Sequence, residues 1–265
     1  MLSNVYPKIT LVGAGPGDED LITVKGAKAL ASADVVLYDA LANKNLLNYT
    51  SPHCVHIYVG KRFDNHSLPQ EEINQLLVNS AKKYGHAVRL KGGDPIVFGR
   101  ATEEMVFAEA NGIETEVVSG ISSCISVPTA MGIPVTKRGM ADSFWVMTGH
   151  TKAKQLPKDI NLAAQSNATI VILMGLNKIS EITSIFTSYG KKDTPIAIIQ
   201  NGTCHNEKFL VGKVSNIESK IKKEHQKQPS VIVIGEVVSL NKSYILEYGR
   251  GILVEELLGE EVLVK

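Results

Sequence analysis

The chain has 265 residues, of which 44% are hydrophobic and 21% charged, and its formal net charge is +1. Such a length and composition suit one large or two modest folded domains and exclude a disordered chain. The near-neutral balance excludes a global basic field that would recruit nucleic acid or an anionic membrane, so any anion binding must be local.

Three cysteines, Cys54, Cys124 and Cys204, lie far apart without metal-ligand spacing. Their odd number argues against a disulfide framework and for a reducing, cytoplasmic setting with small buried thiols. Residues 1–8 lack an apolar signal core, and no apolar run approaches the roughly 18 residues of a membrane helix, so no membrane association is expected.

Residues 8–12 form a short apolar run that ends in Gly13, with Gly15 and Gly17 following, which predicts a buried strand entering a tight loop. A helix over 23–32 and strands over 34–38 and 53–59 should follow. From Pro69 the period changes: Ile73, Leu76, Leu77 and Ala81 share a helical face, Glu71 and Glu72 occupy the first turn, Lys82 and Lys83 the last, and Gly85 is the stop. A strand over 86–91 runs into Gly92, Gly93, Asp94 and Pro95. The two glycines permit a sharp turn and the proline stiffens it, giving a rigid corner that carries one carboxylate.

A helix over 100–111, a strand over 116–118 and a helix from the 119–123 loop toward Met131 complete the alternation. Short strands alternating with helices predict a mostly parallel sheet covered on both faces, with ligands beyond the carboxyl ends of the strands. Proline and two basic residues interrupt the rhythm over 132–139, which places a domain boundary at 138. Beyond it, strands over 143–148, 168–174, 195–199, 209–211 and 230–234, with helices over 178–188 and 214–225, predict a second α/β or mixed-sheet domain over 139–240. A charged tail occupies 241–265.

The string GAGPGD at 13–18 approaches a dinucleotide fingerprint, and Asp39 stands where a ribose-binding acid would. The sixth position, however, is Asp18 rather than a small residue, which sets a charge against a pyrophosphate. Asp39 and Lys61 both emerge at strand ends on one side of the predicted sheet, making an acid/base pair possible there. Lys61, Arg62, His66, Lys91, Arg100, Lys137 and Arg138 gather at these ends and at the boundary, a local cationic lining suited to a small molecule with several carboxylates or phosphates. Some of these cations also have Glu71, Glu103 or Glu104 as possible partners.

Taken in order, VGAGPGD at 12–18, VLYD at 36–39, YVGKR at 58–62, QEEINQLL at 70–77, RLKGGDP at 89–95, FGR at 98–100, GISS at 120–123, GIP at 132–134 and MG at 174–175 resemble the uroporphyrinogen-III C-methyltransferase family of tetrapyrrole methyltransferases. The resemblance implies two α/β domains with the active site in the cleft between them, usually in a homodimer. It implies S-adenosylmethionine as methyl donor and two methylations of uroporphyrinogen III, through precorrin-1 to precorrin-2, an intermediate that feeds sirohaem or cobalamin biosynthesis. Pro16, Gly92, Gly93, Asp94, Val97, Ser122, Ser123, Met174 and Gly202 match the family's donor-site positions. Asp39 matches its proton acceptor and Lys61 its proton donor, and Arg62, Lys91, Arg100, Lys137 and Arg138 are the expected grip on substrate carboxylates.

The chain departs from the family at Ser119, where proline is common, and at Lys137, where histidine is common. A methyltransferase for a later corrin precursor, a diphthine-type enzyme acting on a protein side chain, and a nucleotide-binding regulator remain as alternatives. The match at 58–62 favours the first reading.

Overall fold

A computed structural model describes residues 6–60, 69–151, 153 and 155–249. The chain separates into two compact units, Met1–Ser123 and Cys124–Lys265.

The first unit is built on five parallel strands, β1 (Lys8–Gly13), β2 (Val35–Tyr38), β3 (Val55–Tyr58), β4 (His86–Lys91) and β5 (Glu114–Val118), ordered β3-β2-β4-β1-β5. Helix α1 (Val24–Ala31) follows β1, α2 (Gln70–Tyr84) precedes β4, and α3 (Ala101–Ala110) joins β4 to β5. Thr23 starts α1 by accepting a hydrogen bond from the Gly26 amide at 3.0 Å. In α2, Glu71 and Glu72 in the first turn and Lys82 and Lys83 in the last complement the helix dipole.

Alternation along the strands divides the core in two. Ile9, Leu11, Val35, Leu37 and Ala87 bury with Leu77, Ala81, Ala101 and Ala108 of α2 and α3. Val12, Val36, Val88 and Leu90 bury on the opposite face with Leu30 of α1. Position 89 thus falls on the α2/α3 face, where an arginine occupies a site that apolar residues fill in the neighbouring strands.

The second unit contains β6 (Phe144–Thr148), β7 (Thr169–Leu173), β8 (Pro195–Gln200), β9 (Lys208–Lys213) and β10 (Ser230–Ile234), ordered β6-β7-β10-β8-β9. Only β6 and β7 run parallel; the other neighbours are antiparallel, so this is a mixed sheet. It carries α4 (Ser123–Ala130), α5 (Ile160–Gln165), α6 (Ile179–Ser188), α7 (Ile217–Lys223) and α8 (Lys242–Tyr248).

The division at Ser123 moves the boundary from 138, where turn punctuation had placed it. Cys124, Val127 and Ile133 share a buried cluster with Val171, Ala197 and Val233, which ties this segment to the second core. The basic stretch expected at the boundary is a turn inside the unit, closed by paired backbone bonds between Lys137 and Ala141. The start of the expected tail is also structured, because Tyr244 is buried and Asn241 caps α8 and donates to the Met131 carbonyl at 2.7 Å. Residues 250–265 lie outside the described residues. Among the described residues, no helix is long and apolar enough to cross a membrane.

Candidate active site at the strand ends

The parallel register aligns Tyr38 with Leu90, Leu90 with Val12 and Val12 with Val118. One or two residues further on, four loops leave the same end of the sheet: Asp39 after β2, Gly92 after β4, Ala14 after β1 and Ser119 after β5. Three of these loops touch through backbone. A Cβ on Gly13 would lie 2.4 Å from the Gly120 Cα, and one on Gly120 would lie 2.3 Å from the Gly93 carbonyl oxygen, contacts no side chain can share. Gly15 and Gly93 exchange backbone hydrogen bonds of 3.2 and 2.7 Å, with Gly93 in the left-handed region at φ 67°.

Asp94 completes this junction. Its Oδ1 accepts from the Ile96 amide at 2.8 Å, and its Oδ2 accepts from the Gly120 amide at 3.1 Å, across to the loop after β5. The rigid corner expected from sequence is therefore present, and its carboxylate pins two loops together. Gly93 faces Ser122 and Ser123, with the Ser123 amide nitrogen 3.8 Å from where a Cβ would sit. Pro16 follows the glycine that bonds Gly93, so Pro16, Gly92, Gly93, Asp94, Ser122 and Ser123 are brought together, with Val97 half-buried in the same corner.

Asp39 is held differently. Its Oδ1 accepts from the Leu41 amide at 3.0 Å, and its Oδ2 accepts from Arg89 Nη2 at 3.1 Å, while its side chain keeps 25% exposure. Leu41 in turn packs on Gly92, where a Cβ would lie 2.6 Å from the Leu41 Cβ. Beneath Asp39 is a buried charge cluster in which Arg89, absent from the expected cationic lining, joins the Lys91–Glu104 pairing that the sequence had left open. Glu104 of α3, with no exposed side-chain surface, accepts from Lys91 Nζ at 2.9 and 3.0 Å, from Gln70 at 3.1 Å and from Arg89 Nε at 3.4 Å.

Lys91 was expected to line the substrate site, but it points into this interior cluster. Burial pushes its ammonium below the usual lysine value, Arg89 adds to the effect, and Glu104 opposes it. Arg100 stays exposed and gives a bidentate pair to Glu103, at 2.8 and 2.6 Å. Of the expected cationic lining, these two thus already have carboxylate partners. Lys137 and Arg138 are exposed in their turn in the second unit, and Lys61 and Arg62 lie outside the described residues.

In the second unit, Met174 follows β7 with φ 57°, and Gly202 follows β8 between Asn201 at φ 50° and Thr203 at φ 68°. Phe98 and Arg100, after β4 in the first unit, also have positive φ. Left-handed backbone at residues other than glycine is strained, and it collects at functional loops more often than elsewhere. Asp18, which spoiled the dinucleotide fingerprint, caps the short turn Glu19–Leu21 by accepting from the Asp20 amide.

A parallel sheet whose strand-end loops are stitched by glycines, followed by a mixed-sheet unit with strained strand ends, defines a two-unit α/β protein. Residues 8–218 match the family of tetrapyrrole (corrin/porphyrin) methylases, and the chain belongs to that family. It is 48% identical over 235 residues to a uroporphyrinogen-III C-methyltransferase of Methanocaldococcus jannaschii, covering 88% of this chain and 97% of the relative. It is 44% identical to the enzyme of the same name from Methanobacterium ivanovii, with 88% and 97% covered. Among solved structures, a uroporphyrin-III C-methyltransferase from Thermus thermophilus in complex with S-adenosylhomocysteine is 34% identical, covers 88% of this chain and 99% of its own, and superposes with a TM-score of 0.75.

Proposed function

We propose that this chain transfers two methyl groups from S-adenosylmethionine to uroporphyrinogen III, by way of precorrin-1 to precorrin-2. The observation that carries the reading is the near full-length similarity to the methanogen enzymes, at 48% and 44% identity. The donor supplies an electrophilic methyl on a sulfonium, and an electron-rich pyrrole carbon can attack it without a strong protein nucleophile.

What remains for the protein is positioning and proton management. The stitched loops supply the first: Pro16, Gly92, Gly93, Asp94, Val97, Ser122 and Ser123 form a stiff corner fit to hold the donor, with Asp94 acting through the loops it fixes. Met174 and Gly202 are the second unit's contribution to donor binding. Each attack makes the methylated ring carbon quaternary and leaves an iminium; Asp39 accepts the proton whose loss elsewhere on the macrocycle neutralises it, and Lys61 is the donor for a proton that tautomerisation returns to the ring. Arg62, Arg100, Lys137 and Arg138 grip substrate carboxylates; Arg100 does so by exchanging Glu103 for substrate.

The working form is a cytoplasmic homodimer, for which exposed Ile96, Phe98 and Ile121 offer apolar surface. Incubating purified protein with enzymatically generated uroporphyrinogen III and donor labelled in its methyl group tests the activity. Label should appear in the tetrapyrrole at two per molecule. Binding of S-adenosylhomocysteine without any transfer would overturn the reading.

A further inference from the structure

We propose that Arg89 is a positioning residue for the reaction, orienting the Asp39 carboxylate from inside the sheet while Glu104 and Lys91 hold the guanidinium in place. The proposal rests on the reading of Asp39 as proton acceptor.

An arginine in the middle of a buried parallel strand is costly unless its charge is paired and its donors are satisfied. Arg89 keeps only 4% side-chain exposure, and all three of its nitrogens are engaged. Nη1 donates to the Leu90 carbonyl at 2.9 Å and the Leu37 carbonyl at 3.4 Å, Nε to Glu104 at 3.4 Å, and Nη2 to Asp39 at 3.1 Å.

These distances rank the partners. Glu104 already receives two shorter bonds from Lys91, at 2.9 and 3.0 Å, so its charge is answered without Arg89. The shorter ionic contact of Arg89 is the one to Asp39. A planar guanidinium anchored at Nε and Nη1 by three contacts presents its third nitrogen, Nη2, rigidly to Asp39, which a lysine in its place would not do.

Asp39 thereby has one donor on each oxygen, Leu41 on one and Arg89 on the other. Two donors on two oxygens fix the rotation of the carboxylate, and each oxygen keeps a further lone pair for a proton. The cluster is balanced, with Arg89 and Lys91 against Asp39 and Glu104, so the arrangement is consistent without a further counter-ion.

Two variants test this role. Arg89→Lys keeps a cation for Glu104 but loses the second nitrogen that reaches Asp39. Arg89→Gln leaves Lys91 and Glu104 as a balanced pair, so either variant serves if the other does not fold. Calorimetry with S-adenosylhomocysteine checks that the donor site is intact, and methyl transfer to uroporphyrinogen III gives kcat.

A misplaced acceptor should lower kcat on the order of 10- to 100-fold while the donor KM stays within about twofold. Combined with Asp39→Asn, either Arg89 variant should cost less than about twofold more, because both changes remove the same contribution. Unchanged kcat in a folded Arg89 variant, or a full additional loss on top of Asp39→Asn, would overturn the positioning role alone. Normal turnover in Asp39→Asn itself would remove the acceptor reading and the positioning role together.

Discussion

Asp39 and Asp94 leave neighbouring strands at the same end of the same sheet, and their surroundings assign them different work. Asp94 gives both oxygens to backbone amides, Ile96 and Gly120, and so serves as a cross-link between the loops after β4 and β5. Asp39 gives one oxygen to a backbone amide and the other to a guanidinium anchored in the core, while a quarter of its side chain remains open. A carboxylate bound only by amides shapes a pocket. One supported from behind by a buried charge cluster is stiff yet available to a reacting proton.

The largest expected effect comes from removing the available carboxylate. Asp39→Asn should slow methyl transfer by roughly 10²- to 10⁴-fold, the range for loss of a positioned proton acceptor. S-adenosylhomocysteine affinity should stay within about twofold, because the corner proposed to hold the donor is untouched. A turnover close to that of the unaltered protein would erase the distinction between the two aspartates.

Next is the cluster that supports Asp39. Glu104→Gln leaves Arg89 and Lys91 buried with one carboxylate fewer, which should cost about 3–5 kcal/mol. Urea unfolding followed by circular dichroism and by tyrosine emission should show the loss in the transition of the first unit, because Trp145 lies in the second. An unshifted midpoint would mean that the cluster does not bear on stability.

Asp94→Asn should be milder, because an amide oxygen can still accept one of the two backbone bonds. The other backbone amide then faces an NH2 group, a cost of about 1–3 kcal/mol that should be felt chiefly as weaker donor binding. Calorimetry with S-adenosylhomocysteine measures it.

The smallest effect concerns a third carboxylate, Glu116, which is the middle residue of β5 and makes none of the contacts of either loop. Lys25 and Lys8 hydrogen-bond it at 2.7 Å each and lower its pKa to about 2 from an ordinary 4.5. A depressed folded-state pKa contributes stability that is present above about pH 4.5 and is lost as pH falls through about 2. The groups are partly exposed, so the contribution is below about 1 kcal/mol. Thermal melts of Glu116→Gln should differ slightly from the parent at pH 7 and converge near pH 2, with turnover unaffected.

Much of this architecture was legible from the chain. Strand 86–91 and the glycine breaks at the strand ends stood out because β-rich apolar runs and glycine are short-range signals. Helices α5 and α8 were not: α5 spans six residues with little room for a period, and α8 opens the charged tail, where no apolar stripe stood out. The boundary went astray because Gly132, Pro134 and Gly139 mark a turn, whereas domain membership is decided by where Val127 and Ile133 are buried.

At the strand ends, Glu103 and Glu104 were legible as possible partners of the cations, but which cation pairs inward was not. Whether Lys91 faces solvent or Glu104 depends on strand parity and on the placement of α3 over the sheet. A usable signal did exist, because Glu104 falls between Ala101 and Ala108 on the buried stripe of α3. A charge on that stripe calls for an opposite charge inside, and Arg89 and Lys91 alternate on the facing side of β4.

Asp39→Asn and Asp94→Asn, assayed together for methyl transfer to uroporphyrinogen III and for S-adenosylhomocysteine affinity, test the central claim most directly. The account predicts a crossed pattern, with turnover lost and affinity kept in the first variant, and affinity lost with turnover at saturating donor largely kept in the second. Parallel losses in both variants, or the opposite crossing, would contradict it.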